Sequence, residues 1–302
     1  MRLFVTGGSG FIGSAVVPEL RGAGHEVVGL ARSDASAAAL ADAGAEVLRG
    51  DLEDLDSLRR GADGSDGVVH LGFVHDFSDM SIGARVDLAA IEAIGDTVAG
   101  SGKPFVITTG TLLLALGDAG LAPGAFGTED DVSHSAAMAR VTSENTAIAL
   151  AEKDVRSAAI RLSPSVHGVG DHGFVPILIG IARESGVSGF VGDGANRWPG
   201  VHRLDAARLF RLVVEGAPAG SRWHGVGDEG VPFRDIAEVI GRHLDVPVRS
   251  IPAGEADAHF GFLGALVQLD NPTSNALTRE RLGWEPLEPG LLADLDEGHY
   301  FA

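Results

Sequence analysis

The glycine-rich run after the first apolar segment constrains this chain more than any other stretch. An apolar run ends at Thr6, and Gly7, Gly10 and Gly13 follow at a spacing of three before an amphipathic stretch begins. Gly7 permits a tight turn off a strand, Gly10 leaves room for a pyrophosphate, and Gly13 lets a helix pack closely on a sheet. The run predicts a dinucleotide site at a helix N-terminus, where free N–H groups favour negative charge. A plain glycine-rich turn is the alternative.

Composition narrows the class of protein. The chain has 302 residues, of which 45% are hydrophobic, enough for one large α/β unit or two lobes that share a core. It contains no cysteine, which excludes disulfides, thiolate nucleophiles and thiolate metal sites. A net charge of −19 disfavours nucleic acid and anionic membrane surfaces as partners. Because we find neither a membrane-spanning run nor a signal peptide, we expect a cytoplasmic protein with a small-molecule substrate.

Strand-length apolar runs alternate with helix-length amphipathic stretches as far as Leu162. This alternation predicts an α/β fold of the Rossmann type, a doubly wound parallel sheet with helices on both faces. The pattern loosens afterwards, and residues 166–200 are predicted to form loops and one helix. Residues 135–152 and 255–269 are predicted to be helical.

The looser part of the chain predicts a smaller, C-terminal substrate lobe, which is built from an insertion and the end of the chain. The expected boundaries are 1–165, with 201–226 returning to it, for the nucleotide-binding domain, and 166–200 with 227–302 for the lobe.

With these motifs in order, the chain resembles the extended short-chain dehydrogenase/reductase superfamily, the NAD(P)-dependent epimerases and dehydratases. The resemblance covers nearly the whole length and rests on motifs in the family's order and spacing. They lie at residues 6–13, 50–52, 68–72, 106–111, 160–168, 201–207 and 281–286.

The resemblance implies a nicotinamide coenzyme at the carboxyl edge of the sheet. Arg32 follows the second strand, where an acidic residue would bind a ribose 2′-OH, and arginine instead offers donors to a 2′-phosphate. NADP is therefore favoured over NAD, although a solvated arginine is the alternative. Asp51 resembles the residue that meets the adenine amino group, and its alternative is a helix N-cap. The expected coenzyme-binding residues are Gly7, Ser9, Gly10, Phe11, Ile12, Gly13, Arg32, Ser33, Asp51, Leu52, Leu71, Gly72, Phe73, Thr108, Arg140, Leu162, Ser163, Ser165 and Val166.

The family's catalytic set is a Ser/Thr after the fifth strand and a Tyr-x-x-x-Lys on the next helix, where the lysine lowers the pKa of the tyrosine. The chain has a single tyrosine, Tyr300, which is far from that helix in sequence. With Glu144 as the anchor, Arg140 occupies the lysine position and Ala136 the tyrosine position. Arg140 can hold a ribose hydroxyl and supply positive charge, but Ala136 cannot transfer a proton.

Other polar residues are candidates for the missing proton donor. Thr109 and Thr111 lie where the family has its hydroxyl donor, with turn hydroxyls that bond the backbone as the alternative. His134 is the side-chain type best matched to proton transfer near neutral pH, with helix capping as the alternative. The catalytic candidates are thus Thr109, Thr111, Arg140 and His134. The loop histidines lack matched ligand spacing, so no metal site is predicted.

Three functions stay open at this point. The first is an NADP(H)-dependent oxidoreductase of the atypical extended type, acting on a small carbonyl or alcohol compound. The second is a non-catalytic NADP(H)-binding sensor or regulator, and the third is an isomerase or lyase on the same fold. Residues 82–99 and 135–152 match the helices that form dimer interfaces in the family, so the resemblance implies a homodimer.

Overall fold

Strands and helices alternate through the first half of the chain, as the apolar pattern predicts. The computed structural model describes residues 1–74, 80–116, 119–135 and 138–301. The strands are β1 (Arg2–Thr6), β2 (Glu26–Ala31), β3 (Glu46–Arg49), β4 (Gly67–His70), β5 (Pro104–Gly110), β6 (Arg156–Leu162), β7 (Ser165–His167), β8 (Ser188–Val191), β9 (Arg197–His202), β10 (Ser221–Gly225), β11 (Asp228–Pro232) and β12 (Val248–Ile251).

The helices cover both faces of the main sheet and build most of the second lobe. The α-helices are α1 (Gly13–Gly22), α2 (Asp34–Asp42), α3 (Leu55–Asp63), α4 (Met80–Val98), α5 (Leu112–Leu116), α6 (Ala139–Ala149), α7 (Phe174–Ser185), α8 (Arg203–Gly216), α9 (Phe233–Leu244), α10 (Ala256–Phe260), α11 (Ala276–Leu282) and α12 (Leu291–Asp296). Short 3₁₀ helices lie at Leu150–Lys153, Ala253–Glu255, Gly261–Leu263 and Leu266–Gln268.

Seven parallel strands form the central sheet in the order β10-β6-β5-β4-β1-β2-β3. The order reverses direction at β1, next to β4, and ligands of doubly wound sheets bind outside the carboxyl ends of the strands at such a point. This sheet confirms the predicted Rossmann-type fold. Successive side chains of β1 alternate between the two cores, since Leu3 and Val5 pack on one face and Phe4 on the other. Burying each such side chain adds about 1.5–3 kcal/mol to the free energy of unfolding.

The second lobe contains more regular structure than the sequence predicts. Residues 166–200 hold α7, β8 and most of β9, so the prediction of loops and one helix was wrong. β9 pairs with β7 and antiparallel with β11, and β8 pairs with β12. Gly189 in β8, and Pro199 and Gly200 in β9, weaken the strand signal because neither residue type favours a strand. The lobe nevertheless has an apolar core, in which Trp198 is fully buried.

The predicted helices at 135–152 and 255–269 are both shorter in the structure. The first appears as α6 and a 3₁₀ turn, and Ala136 lies outside the described residues. The second breaks after Phe260, because Gly261 adopts a φ of 58° that ends the helix. In the part of the chain that the structure describes, no helix combines the length and apolar character that a bilayer span requires.

Candidate active site

The loop between β1 and α1 forms a cradle of backbone at the carboxyl edge of the sheet. Gly7 has a φ of 68°, and a Cβ there would lie 2.6 Å from the amide nitrogen of Gly72. A Cβ on Gly13 would collide with the carbonyl oxygen of Gly7. Gly10 N donates to Gly7 O at 3.0 Å, and no side chain of the described residues caps the helix at Ile12. The helix N-terminus therefore faces an open surface that suits an anion.

Two side chains of this loop, Ser9 and Phe11, are at least partly exposed to solvent. Ser9 is exposed, and Phe11 is half-buried. The Phe11 ring contacts the His172 ring edge-on, with centroids 5.7 Å apart, and lies 5.4 Å from the guanidinium of Arg203. Phe11 thus connects the glycine loop with the loop that follows β7.

The ends of β2 and β3 bring Arg32 and Asp51 together. Arg32 Nε lies 3.9 Å from Asp51 Oδ2, and 78% of the Arg32 side chain is exposed. Ser33 Oγ accepts from the backbone of Ser36 and caps α2. The alternative that Asp51 caps the next helix was wrong, because Asp54 is the N-cap of α3.

The end of β4 contacts both the glycine loop and α4. Gly72 N donates to Thr6 Oγ1 at 3.1 Å, and the same oxygen lies 2.8 Å from His70 Nδ1. Because the Thr6 oxygen already accepts from Gly72 N, its hydroxyl proton can be donated to His70 Nδ1, and Nε2 then carries the ring N–H. That Nε2 lies 3.4 Å from Asp87 Oδ1, where both side chains are almost fully buried.

Asp87 on α4 holds Arg140 on α6. Arg140 Nη1 lies 2.7 Å from Asp87 Oδ2, while Arg140 Nη2 donates to the carbonyl oxygen of Thr108 at 2.7 Å. The Phe73 ring lies 4.4 Å from the guanidinium carbon. Burial raises the pKa of the Asp87 carboxyl, but the hydrogen bond with His70 and the Arg140 charge outweigh it, so this pKa lies below its ordinary value. The result is a fixed ion pair with a cation at the strand ends.

Thr108 and Thr109 at the end of β5 have different partners. Thr108 Oγ1 donates to the carbonyl oxygen of His70 at 3.0 Å. Thr109 Oγ1 donates to Glu144 Oε2 at 2.8 Å and is buried. Glu144 also accepts from Arg161 and Arg222, and although burial raises its pKa, these two guanidinium groups lower it to about 2. The Thr109 hydroxyl therefore belongs to a buried charged cluster.

Thr111 and Ser163 are also engaged within the protein. Thr111 is fully buried, and its Oγ1 accepts from Asn271 Nδ2 at 2.9 Å. Ser163 Oγ donates to the carbonyl oxygen of Gly225 at 3.1 Å. Ser165 differs, because its buried Oγ has no hydrogen-bond partner among the described residues. A buried hydroxyl of this kind can be satisfied by a ligand.

The remaining candidates differ in their exposure. Leu71 and Val166 are half-buried and Leu162 is buried, while Leu52 would touch a Cβ placed on Gly72 at 3.0 Å. His134 is exposed and precedes α6 by five residues.

Comparison with known proteins agrees with this geometry. The sequence profile of the NAD dependent epimerase/dehydratase family matches residues 3–99. An uncharacterized protein of Saccharomyces cerevisiae is 49% identical over 98% of each chain, and one of Schizosaccharomyces pombe is 47% identical over 100% of each. The crystal structure of DesIV, a dTDP-glucose 4,6-dehydratase from Streptomyces venezuelae with NAD bound, superposes with a TM-score of 0.78 at 22% identity, covering 99% of this chain and 96% of that one.

The chain belongs to the NAD dependent epimerase/dehydratase family. This is a family of short-chain dehydrogenase/reductase oxidoreductases, and membership implies a nicotinamide dinucleotide coenzyme. The residues fit such a group on two observations. Among the described atoms within 4 Å, a Cβ on Gly10 would meet only the Gly7 carbonyl oxygen, at 3.3 Å, so the space at the N-terminus of α1 is open to a ligand. The unpartnered Ser165 hydroxyl lies beyond the carboxyl end of β6.

The single tyrosine of this family member lies in the carboxyl-terminal segment. Tyr300 Oη donates to Asp171 Oδ2 at 3.0 Å and accepts from Gly168 N at 3.0 Å. Burial and the neighbouring Asp171 charge raise the pKa of the Tyr300 phenol. Its hydroxyl therefore fastens the loop after β7.

Sequence reasoning missed Asp87 and Asn271. Asp87 had a readable signal, since it falls on the stripe of α4 that also carries the buried residues Ala84, Ile91 and Ile94. A carboxylate on an apolar stripe indicates a buried partner. Asn271 had no such signal, because it reaches Thr111 across 160 positions of sequence.

Proposed function

We propose that the chain is an NADP(H)-dependent oxidoreductase that interconverts a small carbonyl compound and its alcohol. The observation that carries this proposal is the cation of Arg140, held by buried Asp87 at the carboxyl edge of the sheet next to the glycine cradle. When bound, the coenzyme supplies or accepts a hydride. The protein supplies orientation and electrostatic stabilisation.

The coenzyme would extend from the glycine loop across the strand ends. Gly7, Gly10 and Gly13 would hold the diphosphate with Ser9, Phe11 and Ile12, while Asp51 and Leu52 would hold the adenine. Arg32 and Ser33 would bind a 2′-phosphate, because among the described residues the exposed guanidinium of Arg32 has only a long contact with Asp51. The nicotinamide end would meet Leu71, Gly72, Phe73, Thr108, Leu162, Ser163, Ser165 and Val166.

Arg140 would serve the substrate and the nicotinamide ribose. Two of its nitrogens are occupied by Asp87 and Thr108, and the remaining N–H edge can donate to a ribose hydroxyl or a substrate oxygen. Its positive charge would stabilise negative charge that develops on that oxygen during reduction. The proton needed for the alcohol would come from solvent water or from exposed His134. Thr111, whose hydroxyl oxygen accepts from Asn271, is a further candidate donor.

The coenzyme preference is tested with an Arg32→Asp variant. NADPH affinity should fall by about tenfold to a hundredfold, because a charge-assisted contact is worth about 1.5–3 kcal/mol. NADH affinity should change little. The matched control is Arg59→Asp, which changes an exposed arginine on α3, away from the end of β2. Equal losses for both coenzymes measured by calorimetry would contradict the phosphate role.

Turnover is tested with a panel of aldehydes and ketones, following the loss of reduced-nicotinamide absorbance. Wild-type protein should turn over at least one class, and Arg140→Gln should lower kcat by more than tenfold. Tight coenzyme binding without turnover across the panel would favour the sensor. Activity that survives complete removal of nucleotide would favour the isomerase or lyase.

The proposal includes a homodimer. It also includes the expected domain boundaries, 1–165 with 201–226 for the nucleotide-binding domain and 166–200 with 227–302 for the lobe. Helices α4 and α6 pack against one another and would form the interface of a homodimer. Light scattering on the purified protein tests this, and a monomer at micromolar concentration would contradict it.

A further inference from the structure

Three potential metal ligands converge in the carboxyl-terminal segment, away from the residues assigned above. Asp294 lies on α12, Glu297 follows the helix, and Gly298 has a φ of 86° that turns the chain before His299. One ligand atom from each of Asp294, Glu297 and His299 lies within 4.8 Å of the others. Asp294 Oδ1 is 3.9 Å from His299 Nε2.

The surroundings of this cluster leave a polar atom unsatisfied. His299 Nε2 is buried and has no hydrogen-bond partner among residues the structure describes. Asp294 is buried, and across the same described ranges its ion-pair partners are two histidines rather than a lysine or an arginine. A buried carboxylate is stabilised by a positive charge nearby, and a divalent cation at this position would supply one.

We propose that Asp294, Glu297 and His299 bind one divalent cation, for which zinc is the best match. Two carboxylates and one imidazole are ligands that zinc accepts, and three protein ligands leave a fourth position for water. The two carboxylate charges offset the charge of the ion. The ion would also provide the missing partner of His299 Nε2.

The distances suit this assignment with one small adjustment. Ligand atoms that each lie about 2.1 Å from one ion are at most about 4.2 Å apart. The Asp294–His299 distance already meets this limit, and the exposed Glu297 side chain can rotate to meet it.

His167 would orient the Asp294 carboxylate from the side opposite the ion. Its Nδ1 lies 2.8 Å from Asp294 Oδ2, the carboxylate oxygen that does not face His299, and its side chain is fully buried. Such outer partners fix the orientation of a metal-binding carboxylate. The His299 ring also packs against the Tyr300 ring, with centroids 4.5 Å apart, so the ion would fasten the segment that reaches Asp171.

The test uses full-length protein that has been dialysed against a chelator and titrated with zinc chloride in a calorimeter. Wild-type protein should bind one equivalent with a Kd in the micromolar range or below. Glu297→Gln and His299→Gln should each weaken binding at least tenfold. Glu238→Gln and His134→Gln, which change an exposed carboxylate and an exposed imidazole elsewhere, should bind as wild type does.

A second readout is the thermal midpoint. Zinc should raise it by several degrees in wild-type protein and in both controls, and hardly at all in the two site variants. Absence of a stoichiometric site in the wild type, or wild-type affinity in Glu297→Gln, would overturn the proposal. Because Glu297 is exposed, this variant keeps the test decisive even where His299→Gln fails to fold.

Discussion

Arg140 and Asp87 form an ion pair of 2.7 Å between α6 and α4, and the carboxylate is almost completely buried. The pair places a fixed positive charge at the strand ends, and the spacing from Glu144 predicts that Arg140 takes the place of the family's lysine. His70 Nε2 lies 3.4 Å from the other carboxylate oxygen, and His70 is itself positioned by Thr6 of the first strand. The glycine loop and the cation are thereby parts of one polar network.

Asp87→Asn should loosen Arg140 and destabilise the protein. Removing the carboxylate charge leaves a half-buried guanidinium without its partner, which we expect to lower the free energy of unfolding by about 1–3 kcal/mol. Turnover should fall by more than tenfold, because Arg140 would no longer be held at the strand ends. Urea unfolding and steady-state kinetics measure the two effects.

Asp96→Asn is the matched control for that change. Asp96 lies on the same helix, but its side chain is exposed and pairs with Lys153 at 3.3 Å. Exposed pairs of this kind contribute about 0–1 kcal/mol. Equal effects of the two substitutions on turnover would contradict a positioning role for Asp87.

Glu144 should make the protein sensitive to acid. Its pKa of about 2 in the folded protein lies below the ordinary value of 4.5, because Arg161 and Arg222 offset the effect of burial. The carboxylate therefore stabilises the folded state above pH 4.5, and this contribution is lost as the pH falls toward 2. The contribution amounts to roughly 3 kcal/mol. Urea unfolding between pH 7 and pH 3 measures it.

Glu144→Gln should be less stable at pH 7 by roughly 2–4 kcal/mol, because it leaves two arginines without their shared carboxylate. Its stability should also fall less steeply between pH 5 and pH 3 than that of the wild type. Glu152→Gln, at an exposed position just beyond the same helix, should change neither quantity. A wild-type acid profile in Glu144→Gln would show that other carboxylates determine the acid response.

Gly10→Ala should separate coenzyme binding from folding. A Cβ on Gly10 would lie 3.3 Å from the Gly7 carbonyl oxygen, a tight contact that small backbone shifts relieve. Stability should therefore change by about 1 kcal/mol or less, whereas NADPH affinity should fall more than tenfold because the methyl group occupies the place of the diphosphate. Gly22→Ala, whose Cβ would meet no described atom within 4 Å, is the control for both measurements. Unchanged NADPH affinity in Gly10→Ala would place the coenzyme elsewhere.

The fold could be predicted from the sequence wherever apolar pattern and glycine spacing indicate the same element. Buried parallel strands read as short apolar runs, and the glycine spacing marks the first turn, so β1 to β6 were all predicted. In the second lobe, β8 and β9 contain glycine and proline and depend on pairing with strands distant in sequence. Local preferences cannot indicate such strands, because their stability comes from contacts that form only in the folded chain.

The candidate site was predictable in part for the same reason. Arg140 was proposed from its spacing from Glu144, because residues four apart share a helix face, and the structure places it at the strand ends beside Asp87 and Thr108. The partners of Thr109 and Thr111 could not be predicted, since Glu144 and Asn271 reach them through tertiary packing. The convergence of Asp294 and His299 depends on the turn at Gly298, so it also became apparent only in the structure.

Tyr300→Phe should affect stability more than chemistry. The phenol oxygen donates to Asp171 and accepts from Gly168 N, so its loss removes two hydrogen bonds from the loop after β7. We expect the free energy of unfolding to fall by about 1–2 kcal/mol. Turnover at saturating substrate should stay within about threefold of wild type, because the raised pKa of the phenol opposes proton transfer at neutral pH. A hundredfold loss of kcat with unchanged stability would instead identify Tyr300 as the proton donor.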